Sequence, residues 1–233
     1  MEQKKGKVFL AEDDLSLGFV IKDNLEEEGF EVVHCTDGQA AIDRFNKEEF
    51  DICLLDVMMP IKDGLAVAKK IRQQSDVIPI LFLTAKSMEE DKVKGFLTGA
   101  DDYITKPFSM QELMMRMNVF LRRTRKLHSE TSEEYRIGKL RFSFTDLKLY
   151  TQDDETISLT QREADLLRFL CKHANKVLKR EEVLTSVWGK DDYFLGRSMD
   201  VFMTKLRKYF RADNEINLET IHGIGFRFNA NIG

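Results

Sequence analysis

The stretch 51-DICLLDVMMP-60 decides how the first half of this chain is read. Four apolar residues, Ile52 to Leu55, stand between the acids Asp51 and Asp56, and two methionines and a proline follow. A short unbroken apolar run of this kind has the pattern of a strand covered on both faces. A carboxylate at the tip of a covered strand is expensive to hold alone, so Asp56 calls for a cation, a hydrogen-bond donor or a chemical task.

Outward from that run, the chain alternates as far as about residue 123. Candidate strands lie at Lys7–Ala11, Glu31–Cys35, Asp51–Asp56, Pro79–Thr84 and Asp102–Thr105. Between and after them, Leu15–Glu28, Gly38–Glu48, Gly64–Gln74, Met88–Thr98 and Met110–Arg123 carry apolar residues spaced three and four apart, as amphipathic helices do. Leu113, Met117, Phe120 and Leu121 make one such stripe, and Ser87 with Glu90 and Ser109 with Glu112 have the spacing of helix-capping pairs. Strict alternation predicts an α/β fold: a doubly wound five-stranded parallel sheet with helices on both faces.

In such sheets ligands bind beyond the carboxyl ends of the strands. There the sequence places Glu12, Asp13 and Asp14 after strand one, Asp56 after strand three, Thr84 after strand four and Lys106 after strand five. Carboxylates brought that close repel unless a hard cation lies among them, and Mg²⁺ accepts such oxygens in an octahedron that also keeps water. No glycine-rich loop is present to cradle a nucleotide. A phosphoryl group suits the set better, because Mg²⁺, lysine and threonine together neutralise its oxygens and a carboxylate can accept it as an acyl phosphate. Taken singly the features are bland: an acidic triplet is usually a solvated helix entry with Asp14 as N-cap, and Lys-Pro is usually a turn. Their joint placement at four strand ends is what carries weight.

FLAEDD, LLDVMMPIKDG, LFLTAK and ADDYITKPF, across residues 5 to 123, resemble the receiver domain of bacterial two-component response regulators, a flavodoxin-like fold. The resemblance implies that Asp56 is the phosphoacceptor and that Glu12, Asp13, Asp56 and the carbonyl of Met58 bind Mg²⁺. It further implies that Lys106 pairs with the phosphoryl group, that Thr84 and Tyr103 form a switch pair, and that Lys106-Pro107 is cis. Lys92 with Glu112, and Asp102 with Arg116, stand where the family pairs charges across a phosphorylation-induced homodimer. Leu97 and Asn118 replace a third pair, which points to a weaker or more apolar dimer.

Composition frames both halves. At 233 residues the chain predicts two domains, and 42% apolar with 33% charged residues reads as globular rather than disordered. No apolar run approaches the ~18 residues of a membrane span, and acids interrupt the apolar start too early for a secretory signal. Cys35, Cys53 and Cys171 are scattered without a CxxC, and the four histidines are isolated, which fits a reducing cytoplasm and argues against disulfide or zinc frameworks. Residues 1–121 hold 15 basic and 23 acidic side chains, whereas residues 122–233 hold 21 and 17, so the halves suit different partners. The charge-rich run 122-RRTRKLHSETSEEY-135 reads as a helix end and a linker over 124–135.

From residue 136 the pattern changes to short alternating runs, LRFSF, LKLYTQ and DDETISL, which read as antiparallel strands. Thr160 with Glu163 opens a helix, REEVLTSVWG forms a second, and Ser198–Phe210 a third, before the glycine-bearing hairpin NLETIHGIGFRFN. This order predicts an α+β winged helix-turn-helix domain over 136–233. On the third helix Met199, Phe202, Met203, Leu206 and Phe210 form a core stripe, while Arg197, Val201, Thr204, Lys205 and Lys208 fall opposite. For an isolated helix that opposite face would be read as solvated lysines; in a basic domain with a hairpin, DNA binding gains weight.

LTQREADLLRFL, REEVLTSVWG, RSMDVFMTKLRKYF and IHGIGFRF closely resemble the effector domain of OmpR/PhoB-type regulators, so that both resemblances together cover nearly the whole chain. The family places the third helix in the major groove and the hairpin wing over the minor groove of promoter DNA, and its members use the loop at about 189–197 to touch RNA polymerase. Arg197, Ser198, Val201, Thr204, Lys205, Arg207 and Lys208, with His222 of the wing, are the candidate DNA-binding set. His222 departs from the arginine that relatives often carry there. The function these features favour is a transcription regulator controlled by a sensor histidine kinase that phosphorylates Asp56. A phosphorylation-independent DNA-binding regulator is the alternative. A phosphohydrolase using an aspartyl phosphate is disfavoured, because Met58 stands where it needs a second acid.

Overall fold

Five consecutive residues of the opening stretch, Ile52–Asp56, form a strand in which every residue is buried. The computed structural model describes residues 5–85, 100–126, 133–153, 155–189 and 193–233. The chain divides into two compact units, Met1–His128 and Ser129–Gly233. Among the described residues no helix is long and apolar enough to cross a membrane.

The first unit contains β1 (Lys7–Ala11), α1 (Leu15–Glu27), β2 (Glu31–Cys35), α2 (Gly38–Phe45), β3 (Ile52–Asp56), α3 (Gly64–Arg72), β4 (Ile80–Ala85), β5 (Asp102–Lys106) and α4 (Met110–Lys126). Its sheet runs in the order β2-β1-β3-β4-β5, and every pairing is parallel. Alternate strand residues serve opposite faces. Val8 and Leu10 pack with Ile21 and Leu25 of α1 and with the stripe Leu113, Met117, Phe120 and Leu121 of α4. Phe9 points the other way, with its ring centroid 5.7 Å from Phe45 of α2 and 4.8 Å from Phe50. The expected helix Met88–Thr98, with its Ser87–Glu90 cap, lies outside the described residues.

The strand order reverses at β1, whose neighbours are β2 on one side and β3 on the other. Ala11 is in register with Leu55, so the tips of β1 and β3 lie side by side at the switch point where such sheets bind ligands. Gly64 keeps the return loop tight: a Cβ there would meet the Asp56 carbonyl oxygen at 2.0 Å.

Helix α4 extends to Lys126, three residues into the expected linker. Arginine and lysine are good helix formers, and no glycine or proline stops the run. The second unit begins with an antiparallel sheet of β6 (Glu134–Ile137), β7 (Leu140–Ser143), β8 (Lys148–Tyr150) and β9 (Thr156–Ser158). Then come α5 (Gln161–Lys172), β10 (Val177–Lys179), α6 (Arg180–Trp188), α7 (Tyr193–Tyr209), β11 (Asn217–Ile221) and β12 (Gly225–Asn229). The last strands and β10 make a sheet ordered β10-β12-β11. Both halves of the Thr160–Glu163 capping box are formed at the start of α5. Met199, Phe202, Met203 and Leu206 of α7 are fully buried and Phe210 nearly so, as their spacing predicts.

Candidate functional site: an acidic pocket and a basic helix

Glu12, Asp13 and Asp56 each offer a carboxylate oxygen, and these oxygens lie within 4.8 Å of one another. Lys106 bridges two of them, with Nζ 2.7 Å from Glu12 Oε1 and 2.6 Å from Asp56 Oδ2. The Met58 amide donates to the other Asp56 oxygen at 2.9 Å. Asp14 stands apart from the cluster: it caps α1, accepting from the amides of Ser16 and Leu17. Burial raises the Glu12 carboxyl to about 7; Lys106 opposes that rise and the charge of Asp56 adds to it. Burial alone would depress Lys106, but its bonds to Asp56 and Glu12 outweigh that and raise it.

The cluster fits a divalent cation on its own chemistry. All its donors are hard oxygens, and Glu12 Oε2 is buried without a hydrogen-bond partner among the described residues, a costly state that a cation would relieve. A groove of about 480 Å³ lined by Asp13, Val57, Met58, Met59, Pro60, Asp63 and Leu65 opens beside it. Thr84 is buried at the end of β4, and Tyr103 is packed inward, its ring 5.2 Å from that of Phe82. The Lys106-Pro107 peptide is cis.

In the second unit, α7 turns Thr204 and Lys208 to solvent and leaves Val201, Lys205 and Arg207 half-buried. Lys205 Nζ lies 3.1 Å from Glu163 Oε1 and 5.4 Å from the centre of the Phe202 ring. Arg207 donates to the Leu218 carbonyl and to Thr220 Oγ1. Arg180 at the start of α6 clasps Asp200 through both guanidinium nitrogens and donates to the Gly196 carbonyl. His222, Gly223 and Ile224 form the exposed tip between β11 and β12.

Residues 8–118 match the family described as response regulator receiver domain, and residues 154–228 the family described as transcriptional regulatory protein, C terminal. Over 96% of its length the chain is 44% identical to the transcriptional regulatory protein RprY of Bacteroides fragilis, 94% of which is covered. It is 39% identical to the transcriptional regulatory protein TrcR of Mycobacterium tuberculosis, over 94% of this chain and 85% of that one. The solved structure of DrrB from Thermotoga maritima, described as an OmpR/PhoB homolog, is 28% identical with a TM-score of 0.50, covering 96% of this chain and 98% of that one. The chain belongs to the OmpR/PhoB-type response regulators.

The regulator is thus a two-component protein with a receiver and an OmpR-type DNA-binding domain, and its named relatives are transcriptional regulators. The fold brings Glu12, Asp13, Asp56 and Lys106 into one pocket and sets Met58 beside it. Asp102, Glu112 and Arg116 also meet, with Arg116 2.8 Å from Asp102 and 3.1 Å from Glu112 within the same chain. Lys92 and the side chain of Arg197 lie outside the described residues. Ser198 is a correction: it is fully buried, which leaves it no surface to offer a duplex. The third helix begins at Tyr193 rather than Ser198, so it absorbs much of the loop expected at 189–197. No proline interrupts residues 193–197, and the Gly196 carbonyl is tied to Arg180. Glu163, Asp200 and Arg180 were not legible as parts of this surface. Glu163 signalled only a helix cap, and the pairing of Arg180 with Asp200 joins residues 20 apart on different helices.

Proposed function

We propose that the regulator accepts a phosphoryl group on Asp56 and thereby controls its binding to promoter DNA. The observation that carries this reading is Lys106 held between Glu12 and Asp56 beside a third acid at the switch point of the sheet. Glu12, Asp13, Asp56 and the Met58 carbonyl are the residues that would hold Mg²⁺, which when bound supplies positive charge to the phosphoryl oxygens. Asp56 attacks phosphorus, the P–N bond of the kinase's phosphohistidine breaks as the P–O bond forms, and the imidazole takes up a proton. Lys106 is in place to pair with the new dianion. Thr84 and Tyr103 are the switch pair, the hydroxyl turning to the phosphoryl group and the ring keeping its inward position behind it.

Phosphorylation favours a homodimer through Lys92, Asp102, Glu112 and Arg116, and α7 enters the major groove. Val201 suits a thymine methyl, and Lys205 with Thr204 suits base edges, guanine above all. Arg197, Arg207 and Lys208 suit phosphates, which fix register without reading sequence. Lys205 must release Glu163 to reach a base. RNA polymerase is the further partner of the loop before α7. The test is incubation with a small phosphodonor and Mg²⁺ followed by intact mass. Wild type should gain one phosphoryl group, Asp13→Asn should need more Mg²⁺, and Asp56→Asn should gain none; undiminished labelling of Asp56→Asn would overturn the assignment.

A further inference from the structure

His34 lies on β2, the strand beside β1, and takes no part in the chemistry described above. Its Nε2 is 2.8 Å from the main-chain carbonyl oxygen of Glu12. A carbonyl can only accept, so this nitrogen carries the proton. The carbonyl belongs to the peptide that joins Glu12 to Asp13, two of the three acids of the pocket. On the far side of Asp13, Asp14 is fixed by its bonds to the amides of Ser16 and Leu17. Asp13 is therefore an exposed residue between two anchored neighbours, and it has no hydrogen bond of its own among the described residues.

The space for the ring comes from Gly18, in the second turn of α1. A Cβ at residue 18 would meet His34 Cε1 at 2.3 Å and Nε2 at 2.5 Å. Glycine is a poor choice inside a helix, and no positive φ at residue 18 demands it. The feature that does demand it is the imidazole. Gly18 and His34 form a matched pair whose product is one hydrogen bond to the Glu12–Asp13 peptide.

We propose that His34 is a positioning residue of the cation pocket: by holding the Glu12 carbonyl it sets the peptide from which Asp13 departs, so that the Asp13 carboxylate meets those of Glu12 and Asp56. Gly18 serves the pocket indirectly, by leaving the ring its place. The inference rests on the cation-binding reading given above. Partners that orient metal ligands typically change metal affinity about 10–100-fold when removed.

The measurement is calorimetric titration of the unphosphorylated full-length protein with MgCl₂, at one fixed pH, beside thermal melts of each variant. Wild type should bind and Asp13→Asn should bind much more weakly; if wild type does not bind, the pocket reading itself fails and the inference with it. Given binding by wild type, His34→Ala should weaken it roughly ten-fold. His34→Gln, whose amide nitrogen reaches nearly as far as Nε2, should recover most of that loss. Gly18→Ala should displace the ring and weaken binding to a similar degree, even though alanine is the better helix former. A purely structural role for Gly18 would destabilise its alanine variant and leave binding intact, which would overturn its part in the proposal. The double variant Gly18→Ala/His34→Ala should bind no more weakly than either single one, because both remove the same bond. Long-range ¹⁵N spectra should show the Nε2-protonated imidazole in wild type and its loss of that fixed form in Gly18→Ala. Unchanged Mg²⁺ affinity in folded His34→Ala, or strictly additive losses in the double variant, overturns the proposal.

Discussion

The two charged surfaces of this regulator are built on opposite plans. In the receiver pocket three carboxylates are drawn together and one ammonium stands between two of them, leaving a buried oxygen of Glu12 unpartnered. On α7 the cations are kept apart, and two of them are engaged by neighbours, Lys205 by Glu163 and Arg207 by the Leu218 carbonyl and Thr220. A pocket of crowded like charges is an unsatisfied arrangement that a cation and a phosphoryl group complete. A row of tethered basic residues is satisfied already, and a duplex must compete with those tethers. The receiver should respond to ligand by gaining order at one place, the effector by exchanging one set of partners for another.

The largest effect that tests this contrast is expected at Lys106. Lys106→Ala leaves two buried carboxylates facing each other without a cation, a change that typically costs about 3 kcal/mol. Denaturant unfolding should show the loss at neutral pH, and Mg²⁺ should restore part of it. The equivalent change at Lys205, on the satisfied surface, should cost the fold far less, since Glu163 keeps its capping-box bonds.

Proton linkage sharpens the same point. The Glu12 carboxyl is raised to about 7, above its ordinary value of 4.5. The folded state therefore holds this proton more tightly than the unfolded chain does. Its contribution to stability is complete below the ordinary value and is lost as pH rises through about 7. Without cation, the receiver should lose stability between those limits; with Mg²⁺, which needs Glu12 ionised, the loss should be offset. Mg²⁺ affinity, followed by calorimetry, should correspondingly fall as pH drops below about 7. A pH-independent affinity would mean that Glu12 does not exchange its proton for the cation.

How much of this was legible depended on what kind of proximity was involved. Parallel topology forces strand tips together, so Asp56 at the end of an apolar run and Glu12-Asp13 at the end of another were enough to foresee the pocket. Helical periodicity settles which side of α7 is buried, and Met199, Phe202, Met203 and Leu206 follow it. It is silent on what a long side chain reaches. Lys205 was legible as a cation on the outer face, but its engagement with Glu163 depends on how α5 packs on α7. Ser198, next to Arg197 in sequence, is turned inward as periodicity itself requires, four residues before Phe202 and eight before Leu206 on the core stripe. His34 carried only the signal of a polar residue within a strand, and its purpose becomes visible only through Gly18 on the neighbouring helix.

For the effector, Lys205→Ala should cost about 1–3 kcal/mol on the cognate duplex and relax its sequence preference, whereas Lys208→Ala should weaken all duplexes alike and lower the salt slope by about one. Binding to cognate and scrambled duplexes at several salt concentrations separates the two; equal losses of Lys205→Ala on both duplexes would make Lys205 a phosphate contact. The smallest effect belongs to the dimer. Arg116 is already paired with buried Asp102 and half-exposed Glu112 inside one chain, and a partly exposed pair such as that with Glu112 contributes only about 0.2–1 kcal/mol. Sedimentation with a phosphoryl mimic should nonetheless show dimers that Arg116→Glu abolishes, and an unchanged mass on activation would count against them.

The central claim is that one carboxylate, Asp56, receives the phosphoryl group. Its most direct measurement is borohydride reduction of the protein after treatment with a phosphodonor and Mg²⁺, followed by peptide mapping, which converts an aspartyl phosphate to homoserine at its own position. The account predicts homoserine at residue 56 alone, formed only when Mg²⁺ is present. Homoserine at residue 13 or at any other aspartate, or its formation independent of Mg²⁺, would contradict it.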